Sequence, residues 1–190
     1  MSTLEWVAIT LAVLFLLAWY LSYSAARLDR LHAKVEGALS ALDAALVRRA
    51  EAALELANSG ALDPATGFLL ASAASESLER TTERTFEQDL LEGQHFAGRE
   101  GVESELTEVL VAALSGEVGR HVESGGGPGG AALERLDATG LRVQLARRFH
   151  NDAVKEVQRV RSKRAVRWFR LAGHAELPQT VEFDDSLPRR

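Results

Sequence analysis

Five histidines, His32, His95, His121, His150 and His174, are the side chains of this chain best suited to metal ligation or proton transfer. No two stand four residues apart, the spacing that sets two imidazoles on one face of a helix for zinc. His150 and Asp152 are too close in sequence to point the same way from a helix. A di-metal site in a helical bundle needs Glu-x-x-His on each of two helices, and that pair is missing. The chain has no cysteine, which removes disulfides, thiolate ligands, a thiol nucleophile and a lipidated cysteine. The run from Gly125 to Gly130 invites comparison with a phosphate cradle. A cradle needs a preceding strand and a Gly-Lys-Ser/Thr ending, so the run reads instead as a flexible link between helices. No catalytic, cofactor-binding or metal-binding residue is expected.

Charge carries more information. The net charge of -5 argues against nucleic acid as a partner. Yet Arg159, Arg161, Lys163, Arg164, Arg167 and Arg170 follow one another with no acid between them, and Trp168 and Phe169 lie inside the group. A second basic set, Arg27, Arg30 and Lys34, follows the hydrophobic start of the chain. Arg49 is a single charge in an otherwise apolar helical seam. It either pairs with a buried carboxylate and fixes register or snorkels from the seam's edge.

The elements that must position these residues are helical. Residues 6–21, WVAITLAVLFLLAWYL, carry no charge. With Leu4 and Tyr23 the segment reaches about 30 Å as a helix, enough to cross a bilayer. Trp6 marks one end, and Trp19, Tyr20 and Tyr23 mark the other, where aromatic side chains favour the interface. A cleaved signal peptide is the rival reading, with residues 22–26 as a poor cleavage site. It lacks a basic leader, because only the terminal amine stands against Glu5. The positive charges after the span place the N-terminus outside and the remainder in the cytoplasm.

Beyond the span, Leu28, Leu31, Val35, Ala38, Leu42, Ala45, Arg49, Ala52 and Leu56 alternate spacings of three and four, the seam of a packed helix. Asn58-Ser59-Gly60 ends it, and Asp63-Pro64 starts a second helix that runs to about Leu91. Phe68, Leu69, Leu78, Phe86 and Leu90 are the second helix's large apolar residues. Glu76, Glu79, Arg80, Glu83, Arg84 and Glu87 form its solvent face. Residues 92–101 read as a loop. A third helix begins near Val102 and weakens at Gly116 and Gly119. A fourth covers about 131–163, with one apolar stripe at Leu136, Val143, Val154 and Val157 and a second at Leu141, Leu145 and Phe149. Two stripes predict two neighbouring helices. Val181-Glu182-Phe183 is too short to predict a sheet.

The expectation is therefore an all-α chain: an N-terminal transmembrane helix (1–26) continuing into an antiparallel four-helix bundle (27–174), then a tail (175–190). Up-and-down order would return the end of the last helix to Arg27, Arg30 and Lys34 at the bilayer surface. There Arg159, Arg161, Lys163, Arg164, Arg167, Arg170 and Trp168 would make a second, peripheral lipid contact.

This layout resembles the LemA family of bacterial membrane proteins, which includes a magnetosome-associated branch. Residues 42–51 (LDAALVRRAE) are similar to the family's apolar-acid-x-x-Leu-x-Arg-Arg-x-acid stretch. Glu103-Ser104-Glu105-Leu106 looks like its Glu-x-x-Leu segment. Residues 146–154 (ARRFHNDAV) resemble its Ala-Arg-Arg-Tyr-Asn-x-Ala-Val run. Ala172-Gly173 and Phe183-Asp184 resemble its closing section. The chain departs from the pattern where Ala-rich sequence replaces a Pro-Asn pair after Arg49, and where the basic cluster replaces a Phe-Pro pair. The resemblance implies an antiparallel bundle, a cytoplasmic domain and no established enzymatic activity, with Arg49 and Asn151 as structural residues. The expected function is a membrane-anchored scaffold or adaptor with the bilayer, other membrane or cytoplasmic proteins, and further copies of itself as partners. The alternative is a sensory or ligand-binding bundle on the outer face.

Overall fold

A computed structural model describes residues 2–87, 96, 98–163, 166, 168, 169 and 177–189, without the side chains of 82–87. Five helices account for most of them: α1 (Thr3–Asn58), α2 (Pro64–Glu87), α3 (Arg99–Leu114), α4 (Glu117–Gly125) and α5 (Gly127–Arg161). No strand occurs among the described residues.

The long first helix starts at a capping box, in which the Ser2 hydroxyl accepts from the Glu5 amide and the Glu5 carboxylate accepts from the Ser2 amide. It then runs 56 residues without a break. Its first part is long and apolar enough to cross a membrane, and nothing in that window is buried. From Leu28 onward the seam is inside: Leu28, Leu31, Val35, Leu42, Ala45, Arg49, Ala52 and Leu56 are all buried. The stop at Asn58-Ser59-Gly60 is realised with Gly60 at φ +75°, where a side chain would be strained. Asp63 then caps α2 by accepting from the amides of Ala65 and Thr66. The hydrogen bond from Thr66 is the main reason its carboxyl titrates below the ordinary range.

Ion pairs fix the direction of the helices. Lys34 meets Glu156 at 2.9 Å and Glu55 meets Arg135 at 2.9 Å. Moving 21 residues up α1 moves 21 residues down α5 (55 − 34 and 156 − 135), so the two are antiparallel. Asp43 pairs with Arg99, and further along α1 Arg49 bonds Glu103 and Thr107, so α3 runs with α1. The bundle is thus up, down, up and down, with the short α4 turning the chain over at the far end. Three apolar clusters stack along it. Leu28, Leu31 and Val35 meet Val154, Val157, Val160 and Val166 nearest the apolar start of α1. Leu42 and Leu46 meet Val143, Phe96, Val181 and Phe183 in the middle. Leu56, Leu70, Leu106, Leu114 and Leu133 fill the far end.

Three sequence expectations change. The glycine run is not a flexible link: Gly126, at φ +61°, alone separates α4 from α5, and α5 starts at Gly127 with Pro128 in its first turn. Proline's fixed φ suits that position. Phe68 and Leu69 point to solvent, because Leu70, Ala73 and Ala74 take the core face of α2. The second stripe of α5 (Leu141, Leu145, Phe149) is exposed too. The broadening of that helix's buried face has a different partner, the C-terminal segment. The predicted end of the second helix, with Phe86 and Leu90, and residues 92–95 and 97 of the predicted loop fall outside the described side chains, whereas residues 99–101, also read as loop, form the first turn of α3.

That C-terminal segment, 177–189, is an extended strap lying antiparallel on α5. Gln158 donates to Pro178 O, Asn151 both donates to Val181 O and accepts from Val181 N, and Gln144 donates to Asp185 O. Arg147 grips the Asp185 carboxylate with two bonds of 2.8 and 2.9 Å, which raises the guanidinium pKa further above its ordinary value. The other edge of the strap bonds to α3 through Glu100, Ser104 and Thr107. Asn151→Ala removes both bonds to Val181 and should cost about 1–3 kcal/mol. The expected result is a lower denaturation midpoint and faster proteolytic cutting within the strap. An unchanged cutting rate would show that Asn151 does not hold it.

Candidate functional site

Those of the singled-out basic residues that are described, Arg27, Arg30, Lys34, Arg159, Arg161 and Lys163, gather at the pole where α1 enters the bundle. Arg27 and Arg30 are exposed on α1, and Arg30 Nε donates back to Ala26 O. Lys34 pairs with Glu156 across the α1–α5 seam. That bond is the largest cause of the lowered Glu156 pKa, and Arg27 and Arg159 add to it, so all three cations surround one carboxylate. Arg159 and Lys163 are exposed and Arg161 is half-buried at the end of α5. After α5, Val166 is buried against Leu28 and Leu31. This contact fixes the following turn beside the first turns after the apolar segment. Trp168, two residues on, is 88% exposed, and Phe169 is exposed as well. Arg164, Arg167 and Arg170 lie outside the described residues.

A second constellation sits in the core between α1, α2 and α3. The Glu103 carboxylate is fully buried and accepts from Arg49 at 2.7 Å, Ser77 at 2.9 Å and Arg99 Nε at 3.1 Å. Arg49 also donates to the Thr107 hydroxyl and to Glu103 O. Arg99 reaches outward to Asp43 at 2.8 Å. Thr107 in turn donates to Asp184 O of the strap at 2.6 Å. Of the two readings of Arg49, the paired one holds. Glu103 was not singled out as its partner from the sequence; the signal that could have found it is an acid three residues before Leu106, in line with the apolar residues of α3. Arg99, four residues before Glu103, was missed because the region read as loop. Both Glu103 oxygens already accept from buried donors, so this arrangement acts chemically as a clamp that joins three helices and the strap.

His150 is buried where α5 meets α1 and the strap. Desolvation lowers its pKa from the ordinary 6.5, opposed in part by the backbone at Gln179 and Val35 and by Asp43. Its neighbour Asn151 is the strap's central anchor, as described above. Among the described residues no three His, Asp or Glu side chains come together to hold a metal; His95 and His174 lie outside them. No family model, curated protein or solved structure matches the chain.

Two expectations follow. Glu103→Leu leaves Arg49 buried without its carboxylate and should cost about 3–5 kcal/mol in denaturant unfolding. Adding Arg49→Met should recover much of that loss; equal stability of the single and double variants would refute the pairing. The second concerns pH. Folded His150 resists protonation, so stability is full above pH 6.5 and falls as pH drops below it, where the unfolded chain takes up the proton. Glu156 and Asp63, with lowered carboxyl pKa values, lose their contributions only at more acidic pH. His150→Gln should therefore flatten the stability profile as pH falls below about 6.5.

Proposed function

We propose that this chain is a single-pass, membrane-anchored helical scaffold or adaptor whose bundle stands on the cytoplasmic face of the cell membrane, with the N-terminus outside. One observation carries the reading. The start of α1 is apolar and wholly unburied, with Phe15 74% exposed, yet the same unbroken helix supplies the seam of the bundle. Such a surface is costly in water and at home in lipid. The orientation rests on Arg27, Arg30 and Lys34 after the span and the absence of basic side chains before it.

The pole that carries Arg27, Arg30, Arg159 and Lys163 rests on anionic headgroups, each cation contributing about 1 kcal/mol. Trp168 enters the interface beside them. Arg164, Arg167 and Arg170 belong to the same proposal on their sequence positions. Membership of the LemA family is part of it too, and rests on the residues quoted above. The exposed apolar residues Leu141, Leu145 and Phe149, and Phe68 and Leu69, offer surface for protein partners.

A reporter fused after Arg190 should be active only in the cytoplasm; activity only outside would favour a sensory bundle on the outer face. The lipid contact has its own readout. With Trp6→Phe and Trp19→Phe, Trp168 is the sole remaining tryptophan. In anionic vesicles its fluorescence should be quenched by brominated acyl chains. Quenching equal to that of a free indole in the aqueous phase would contradict the contact.

A further inference from the structure

The seat of the strap has the construction of a peptide-binding groove. On α5, Gln144, Asn151 and Gln158 recur every seven residues, and each bonds to strap backbone. From 144 to 158 the helix rises about 21 Å. The strap from Pro178 to Asp185, extended, covers about 23 Å. The two spacings keep step, so the carboxamides stay in register with the chain they hold. On the other wall, Glu100 and Ser104 accept from the amides of Glu182 and Asp184, and Thr107 donates to Asp184 O. These bonds are blind to sequence. Selectivity comes from alternate side chains: Val181 and Phe183 are buried, Asp185 is held by Arg147, and Leu187 lies against Gly140. Main-chain bonds for affinity and alternating seats for specificity are how extended peptides are bound.

We infer that this groove also takes the strap of a second copy of the chain, so that neighbours in one membrane pair by exchanging C-terminal straps. The inference rests on the anchored reading above. An exchanged strap makes the same contacts as the resident one, so no new interface is needed. Geometry favours it for anchored copies in particular. The strap enters its groove beside Gln158, near the pole where α1 leaves the apolar segment, and runs away from that pole. Copies held in one bilayer share that pole and that axis. A neighbour's strap therefore starts at the right height and runs in the right direction. Confinement to a plane raises the effective concentration of each strap at its neighbour's groove.

The absence of native cysteine makes a direct test clean. A side chain at 140 would sit 2.6 Å from Leu187 Cδ2. Gly140→Cys is placed on one full-length copy and Leu187→Cys on another, each with its own tag. The larger residue at 140 also crowds the resident Leu187 and favours the shorter Cys brought by the neighbour. Membranes containing both copies are washed with alkaline carbonate and then oxidised. Exchange gives a disulfide-linked dimer carrying both tags, absent from membranes with either copy alone and lost when the Gly140→Cys copy also carries Arg147→Glu. The inference is overturned if mixed membranes yield only monomers while a chain bearing both substitutions closes within itself. It is also overturned if that doubly substituted chain fails to close, since the strap then does not lie beside residue 140. Release of the protein by carbonate would instead remove the anchored reading, and the exchange argument with it.

Discussion

The structure depends on α1 being one helix. Its 56 residues run without interruption from an apolar, unburied first part into the seam of the bundle. The first part exposes apolar side chains all round, which only a bilayer or a partner surface can accommodate. From Leu28 the same backbone turns a single seam inward, and α5, α2 and the strap are arranged along that seam. A backbone hydrogen-bond ladder that continues through the junction transmits orientation. The pole formed by Leu28, Leu31, Val160 and Val166 is therefore held at a set distance from the apolar segment.

Two polar devices complete what hydrophobic packing begins. Helices packed by leucine and valine alone can slide or rotate at modest cost. Glu103 accepts from donors on α1, α2 and α3 at once, and an unpaired charge in that position is expensive, so the arrangement that satisfies it is strongly preferred. The strap does similar work between α3 and α5. It supplies apolar cover through Val181 and Phe183, stacked 6.2 Å from Phe96, and links the two helices through its own backbone. Thr107 joins the devices, because it bonds both Arg49 and the strap. Disturbance of the buried charges should thus be felt at the C-terminus.

Much of this was legible in the residues. The seam of α1 was readable at every position but Ala38, which is half-buried, because a spacing of three and four has one physical meaning, and Arg49 stood out as its single charge. Asp63-Pro64 marked the start of α2 through local chemistry alone. The misreadings share a cause, which is that tertiary context overrode local pattern. Glycine composition suggested a loose link at 125–130, yet only Gly126 lies between helices: Gly125 ends α4, and Gly127, itself at φ +64°, opens α5. Phe68, Leu69 and the Leu141–Phe149 stripe are apolar, and apolarity does not say which face meets a neighbour. The strap was the hardest element to foresee. Its order comes from amides on α5 some 30 residues away, and Gln144, Asn151 and Gln158 look like ordinary helix surface until their partner is in place.

The most direct measurement is a nitroxide scan of single cysteines from Leu4 to Glu36, reading oxygen against water-soluble relaxer accessibility in reconstituted vesicles. A continuous anchored helix gives high oxygen accessibility on all sides through Tyr23, a crossover before Arg30, and from Leu28 a helical periodicity with minima at Leu28, Leu31 and Val35. Water accessibility throughout the first two dozen residues would contradict it.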